Sequence, residues 1–126
     1  MDTKEFARRI AKLILSKKGY NIKILDLRNL TPISDFFIIA SADSHIQVKA
    51  IADEIDDKLR DNGIKCYFKE GYDTANWILL DYFDVVVHIF QTESREFYNL
   101  EKLWGDAQTE IIEDELEQQN ENTEIN

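Results

Sequence analysis

Apolar residues return at spacings of three and four through the first eighteen positions, and this period predicts an opening helix. Phe6, Ile10, Leu13 and Ile14 share one face, while Asp2 and Glu5 have the spacing of a capping box. Arg8, Arg9, Lys12 and Lys17 fall on other faces, as a solvated surface or a small electropositive patch, and Gly19 is expected to supply a left-handed stop. Ile22, Ile24 and Leu27 then suggest a strand. Pro32, in the Thr31–Asp35 loop, lacks the amide a strand would use. Phe36–Ser41 is apolar on both sides of its alternation, which predicts a strand covered on both faces. A second helix opens at Ser44 and Gln47, carries Val48, Ile51, Ala52, Ile55 and Leu59 as its buried stripe, and ends at Asn62-Gly63.

The second half of the chain is richer in strands. Ile64, Cys66 and Phe68 alternate with Lys65, Tyr67 and Lys69, the period of a half-exposed strand. Trp77–Leu80 and Asp84–Phe90, joined by a short turn, read as a hairpin. A third helix is expected from about Ser94, with Phe97, Leu100, Leu103, Trp104 and Ala107 facing inward. Ile111, Ile112 and Leu116 could prolong it, but Gln118–Asn126 is too polar to fold alone. The order α-β-β-α-β-β-β-α predicts a single α/β domain: a mixed five-stranded sheet flanked by helices over residues 1–107. Residues 108–126 are expected to be a flexible acidic tail.

Composition sharpens this picture in three ways. The 126 residues include 44% apolar side chains, enough for one well-filled core. From Leu103 onward there are 8 acidic residues and no Lys or Arg, leaving 15 basic against 17 acidic groups before that point. Such a balance disfavours a broad phosphate-neutralising surface, so direct nucleic-acid binding is not expected to dominate, and a basic protein is the better electrostatic match. The longest apolar run, Phe36–Ala40, is far short of the roughly 20 residues of a membrane helix. No signal peptide is evident, and a single cysteine suits the reducing cytoplasm.

Catalytic chemistry finds little support. Four glycines, at 19, 63, 71 and 105, build neither a phosphate loop nor a dinucleotide fingerprint. His45, His88 and Cys66 lack metal-ligand spacing, and His88, inside an apolar strand, reads as a hydrogen-bonded structural residue. A Cys66–His88 pair across strands is conceivable, but Cys66 falls on an apolar face. Nucleotidyl transfer needs converging carboxylates to hold divalent metal. Asp81 and Asp84 do not align on a strand, and Ala40-Ser41-Ala42-Asp43 has no glycine.

The residues Asp26-Leu27-Arg28, Ser34-Asp35-Phe36-Phe37-Ile38-Ile39-Ala40, Gln47-Val48-Lys49-Ala50-Ile51-Ala52 and Glu70-Gly71 form a recognisable series. They are followed by Trp77-Ile78-Leu79-Leu80-Asp81-Tyr82, Asp84-Val85-Val86-Val87-His88-Ile89-Phe90, Arg95 with Phe97-Tyr98, and Leu100-Glu101 with Leu103-Trp104. In order and spacing, from about residue 3 to 107, the chain resembles the ribosomal silencing factor, or Iojap-like, family. The resemblance implies a nucleotidyltransferase-like fold without catalytic residues and without a cofactor. It further implies binding to the large ribosomal subunit through its protein number fourteen. Occupying that face would block joining of the small subunit and repress translation when nutrients are short. Some relatives assist large-subunit assembly, and many form homodimers. Phe83 stands where the family usually has Gly, and the tail lies outside the family pattern.

One surface fits such a role. Trp77 and Leu79 share a strand face that ends at Asp81, and Ile78 and Leu80 share the other. An uncovered Trp77–Leu79 patch beside Glu70, Asp73, Asp81 and Tyr82 would combine an aromatic anchor with an acidic rim. The competing reading makes Trp77 a core residue. The rival functions are an assembly factor using Arg8, Arg9 and Lys12 on ribosomal RNA, and a nucleotidyltransferase.

Overall fold

The computed structural model describes residues 2–113. Helix α1 (Thr3–Ser16) starts where Asp2 accepts the Glu5 amide at 2.8 Å, and buries Ala7, Ile10, Ala11 and Ile14. Its end differs from expectation. Lys18, not Gly19, takes the left-handed conformation (φ 65°). Gly19 is required for space instead, because a Cβ there would lie 2.3 Å from Ile14 Cγ2.

Strands β1 (Tyr20–Asp26) and β2 (Phe36–Ala42) pair antiparallel, with a register shift between Tyr20 and Lys23 where Asn21 is left-handed. Helix α2 (His45–Asp61) opens at Ser44, whose hydroxyl accepts the Gln47 amide at 3.1 Å, and closes before left-handed Gly63. Gln47 also ties the two helices together: its Nε2 donates to the Lys17 and Lys18 carbonyls at the end of α1. The alternating 64–69 segment yields only β3 (Phe68–Glu70), followed by β4 (Trp77–Asp81) and β5 (Val85–Gln91).

The expected third helix is broken in two. Asn99, left-handed at φ 47°, separates α3 (Thr92–Tyr98) from α4 (Leu100–Leu103). The break shifts the helical phase, so Phe97 and Leu103, expected inward, are exposed, while Leu100, Trp104 and Ala107 do pack on the sheet.

The sheet has six strands rather than five, in the order β3-β4-β5-β2-β1-β6. The sixth, β6 (Gln108–Ile112), lies where a helical extension or flexible tail was expected, and pairs antiparallel with β1. Arg8 fastens it to α1 through a two-pronged contact with Glu110, at 2.7 Å for the shorter prong. The Gln118–Asn126 stretch lies outside the described residues. Only β2 and β5 run parallel, joined through α2 and the β3–β4 hairpin; the other pairs are antiparallel.

Alternation gives the sheet two apolar faces. One carries Ile22, Ile24, Ile38, Ala40, Ile78, Leu80, Val87 and Ile89 under α1 and α2, and forms the main core. The other carries Leu25, Ile39 and Phe90 under α4 and the Trp104–Ala107 segment, and forms a smaller cluster.

Candidate protein-binding face

Strand register decides which predicted residues meet. Directly opposed residues of paired strands share a face. Trp77 opposes Phe90, Leu79 opposes both His88 and Glu70, and Asp81 opposes both Val86 and Phe68. Trp77, Leu79, Asp81 and Glu70 therefore lie together on the sheet face away from α1 and α2, as the alternation predicted. Phe68 joins them at the β3 edge and is 52% exposed.

Two of the six predicted residues do not join this patch. Tyr82 is a correction: it is buried on the opposite side, edge-on to Phe6 at 6.1 Å between ring centroids. Tyr82 continues the alternation of Ile78 and Leu80 and packs with them in the main core, before the chain reverses at Phe83 (φ 74°). Burial pushes the Tyr82 hydroxyl well above the usual tyrosine range, and its oxygen has no hydrogen-bond partner among the described residues. Asp73 is exposed in the β3–β4 connection, and no hydrogen bond or ring contact ties it to the others.

The patch is floored by aromatic packing. Trp77 stacks on Phe90 at 4.8 Å and meets Tyr98 of α3 at 4.9 Å. Its indole Nε1 donates to His88 Nδ1 at 3.1 Å, which places the imidazole proton on Nε2. His88 also lies 4.6 Å from the Phe37 ring, and Trp104 meets Phe37 edge-on at 5.9 Å. Burial lowers the His88 pKa to about 4, so the ring is neutral near pH 7. His88 is thus the hydrogen-bonded structural residue expected, and its partner is the proposed anchor. The register of Leu79 against His88 was the one missing signal.

Trp77 is neither free nor fully core. It is half-buried, held by stacking and one hydrogen bond, and Leu79 beside it is half-buried as well. The short α3–α4 cover reaches Phe90 and Phe37 but leaves Leu79, Phe68 and Glu70 accessible. Asp81 has a local duty too, accepting the Phe83 amide at 2.8 Å and fixing the turn.

Gly71 holds the hairpin closed at this point. Its φ is 81°, and a Cβ there would lie 2.0 Å from the Trp77 carbonyl oxygen, so only glycine allows the loop to cross β4 so closely.

Catalytic groupings do not assemble here. Cys66 packs with the main core, its thiol pushed up by burial, whereas His88 belongs to the opposite face. Among the described residues no three His, Cys, Asp or Glu side chains are grouped as a metal site would require. None of the described helices is long and apolar enough to cross a membrane.

Comparison with known proteins identifies the family. The family model described as ribosomal silencing factor during starvation matches residues 1–126. The chain is 43% identical over 107 residues to the ribosomal silencing factor of Bacillus subtilis (strain 168), spanning 85% of this chain and 91% of that one. It is 40% identical over 113 residues to the one from Halalkalibacterium halodurans, spanning 90% and 97%. A crystal structure of a protein from Chromobacterium violaceum is similar with a TM-score of 0.80 and 35% identity, covering 83% of this chain and 88% of its own. With the whole sequence inside the family model and curated members 40% or more identical over most of its length, the chain belongs to the ribosomal silencing factor family.

Proposed function

We propose that this protein acts in the cytoplasm by occupying the large ribosomal subunit, docking on its protein number fourteen and sterically blocking the small subunit. It acts as a stoichiometric binding protein and not as an enzyme. The observation that supports this most is the half-covered sheet face: Trp77 and Leu79 lie beside exposed Phe68, with Glu70 as acidic rim. An aromatic anchor held in one orientation, with apolar neighbours and a charged margin, is the anatomy of a protein-protein hot spot. Family membership supplies the ribosome as the setting. An RNA-binding assembly role draws less support, because Arg8, central to the basic patch, is engaged by Glu110.

Co-sedimentation of the purified chain with isolated large and small subunits tests the proposal. The protein should pellet with large subunits alone, saturate at one protomer each, lower subunit joining in proportion to occupancy, and need no nucleotide. Inhibition at strongly substoichiometric amounts, or equal binding to both subunits, would overturn it.

A further inference from the structure

A second surface, remote in chemistry from the Trp77 face, has the features of a small-molecule site. Beyond the ends of the parallel strands β2 and β5 lies an open cavity of about 470 Å³. In open sheets containing parallel strands, the carboxyl ends of those strands are where ligands most often sit. Every residue lining this cavity has a polar side chain and none is aromatic, which disfavours nucleobases, haem and lipid tails.

Its floor is Arg95, only 8% exposed. The guanidinium donates through Nε to Glu101 at 2.8 Å and through Nη1 to Ser41 Oγ, also at 2.8 Å, and to the Asn21 carbonyl. Asn21 presents that carbonyl because its left-handed φ of 49° bulges β1 inward. Nη2 makes no hydrogen bond to the described residues. Lys23 stands alongside, its ammonium 2.6 Å from the other oxygen of Glu101. Two cations thus share one carboxylate, and the floor keeps one uncompensated positive charge. Glu96, also lining the cavity, has no ion pair among the described residues. The four charged side chains sum to zero, with an excess cation on the floor and a free anion beside it.

We infer that this cavity binds a small polar zwitterion of the free α-amino acid class, its carboxylate on Arg95 Nη2 and Lys23 and its ammonium toward Glu96. A monoanionic carboxylate matches the single excess charge of the floor. A phosphate dianion would overshoot it beside Glu96. The size and the all-polar lining favour an amino acid with a hydrophilic side chain. This inference stands apart from the ribosomal reading, since it concerns binding by the isolated chain.

The test is a titration of the full-length, isotope-labelled protein followed by amide NMR, with glutamine, N-acetylglutamine, glutamine methyl ester and inorganic phosphate as separate probes. Glutamine should give saturable shifts at millimolar concentration centred on Asn21, Ser41, Thr92 and Asn99. Blocking either charged end should weaken binding by about tenfold or more. Lys23→Gln, whose side chain is partly exposed, should weaken glutamine to a similar degree while the spectrum stays dispersed. Glu96→Gln should abolish the preference for glutamine over its N-acetyl derivative. No saturable shift with glutamine, unchanged affinity in Lys23→Gln, or phosphate binding as well as glutamine would overturn the assignment. In those cases the Arg95–Glu101 network only clips α3 and α4 to the sheet.

Discussion

The two faces of the sheet are built from the same strands and end in different states. Under α1 and α2, side chains such as Ile38, Ile51 and Ile89 have no solvent contact at all. Under α3 and α4, Phe90 is equally buried, yet Trp77, Leu79 and Phe37 are only half-covered. The difference lies in the length of the covers. Helices of 14 and 17 residues roof the first face, whereas 7 and 4 residues, broken at Asn99, lie over the second. A sheet face that the described residues roof only in part remains apolar and accessible. Stability thereby rests on one side of the layer, and the proposed docking face lies on the other.

That contrast can be broken from either side. The largest effect is expected from Ile51→Ala, which empties a fully buried site in α2 and should cost about 3–4 kcal/mol of folding stability by denaturant unfolding. Large-subunit affinity of the fraction that stays folded should not change. Trp77→Ala should give the converse pattern, losing about 2 kcal/mol or more in subunit binding, with the melting curve remaining cooperative. Some stability goes too, because His88 Nδ1 loses its donor. Leu79→Ala, which breaks no hydrogen bond, isolates the binding effect. If Leu79→Ala binds normally, the docking face is elsewhere.

Truncation after Ala107 should cost about 2 kcal/mol, read as a drop of several degrees in melting temperature, by stripping β6 from β1 and uncovering Ile22 and Ile24. Acid sharpens the contrast from the second face. The buried His88 titrates near pH 4, below the ordinary value of 6.5, so between these values the unfolded chain binds more protons than the native one. Stability should therefore fall as pH is lowered through that window, by up to about 1.4 kcal/mol per pH unit, and be insensitive to this group above it. His88→Phe should flatten that part of the profile, measured as melting temperature against pH. The smallest change is Phe83→Gly. It relieves a left-handed conformation at an exposed turn and should alter stability by less than about 1 kcal/mol, toward stabilisation.

Periodicity made the main core legible. The stripes of α1 and α2 and the alternation through Trp77–Leu80 are direct consequences of burial on one side, and the structure keeps both. The same rule placed Trp77, Leu79 and Asp81 on one face before any coordinates. It failed where the backbone changes phase. Asn99 adopts a left-handed conformation that glycine would have announced, so Phe97 and Leu103 fall outside the core, whereas Tyr82 follows the alternation of Ile78 and Leu80 away from the Trp77 face. Strand β6 was hidden by acidity: Gln108–Ile112 holds three β-branched residues after a Gly105-Asp106 turn, but the surrounding carboxylates suggested a tail. His88, Phe90 and Phe68 joined the face through cross-strand register, which a single sequence does not carry.

Strand β6 has one more consequence. A sheet ending at β1 would present seven residues of unpaired amides and carbonyls, a template on which another chain could add. With β6 in place, the outer edge is a strand bearing Glu110 locked to Arg8, and the opposite edge, β3, is three residues long and includes Lys69 and Glu70. The β3 edge is too short for extended main-chain pairing, and the β6 edge is shorter than β1 and carries a tethered carboxylate. With β6 covering β1, growth of a continuous sheet from molecule to molecule at that strand is disfavoured. At high local concentration, the last described strand works against edge-to-edge aggregation.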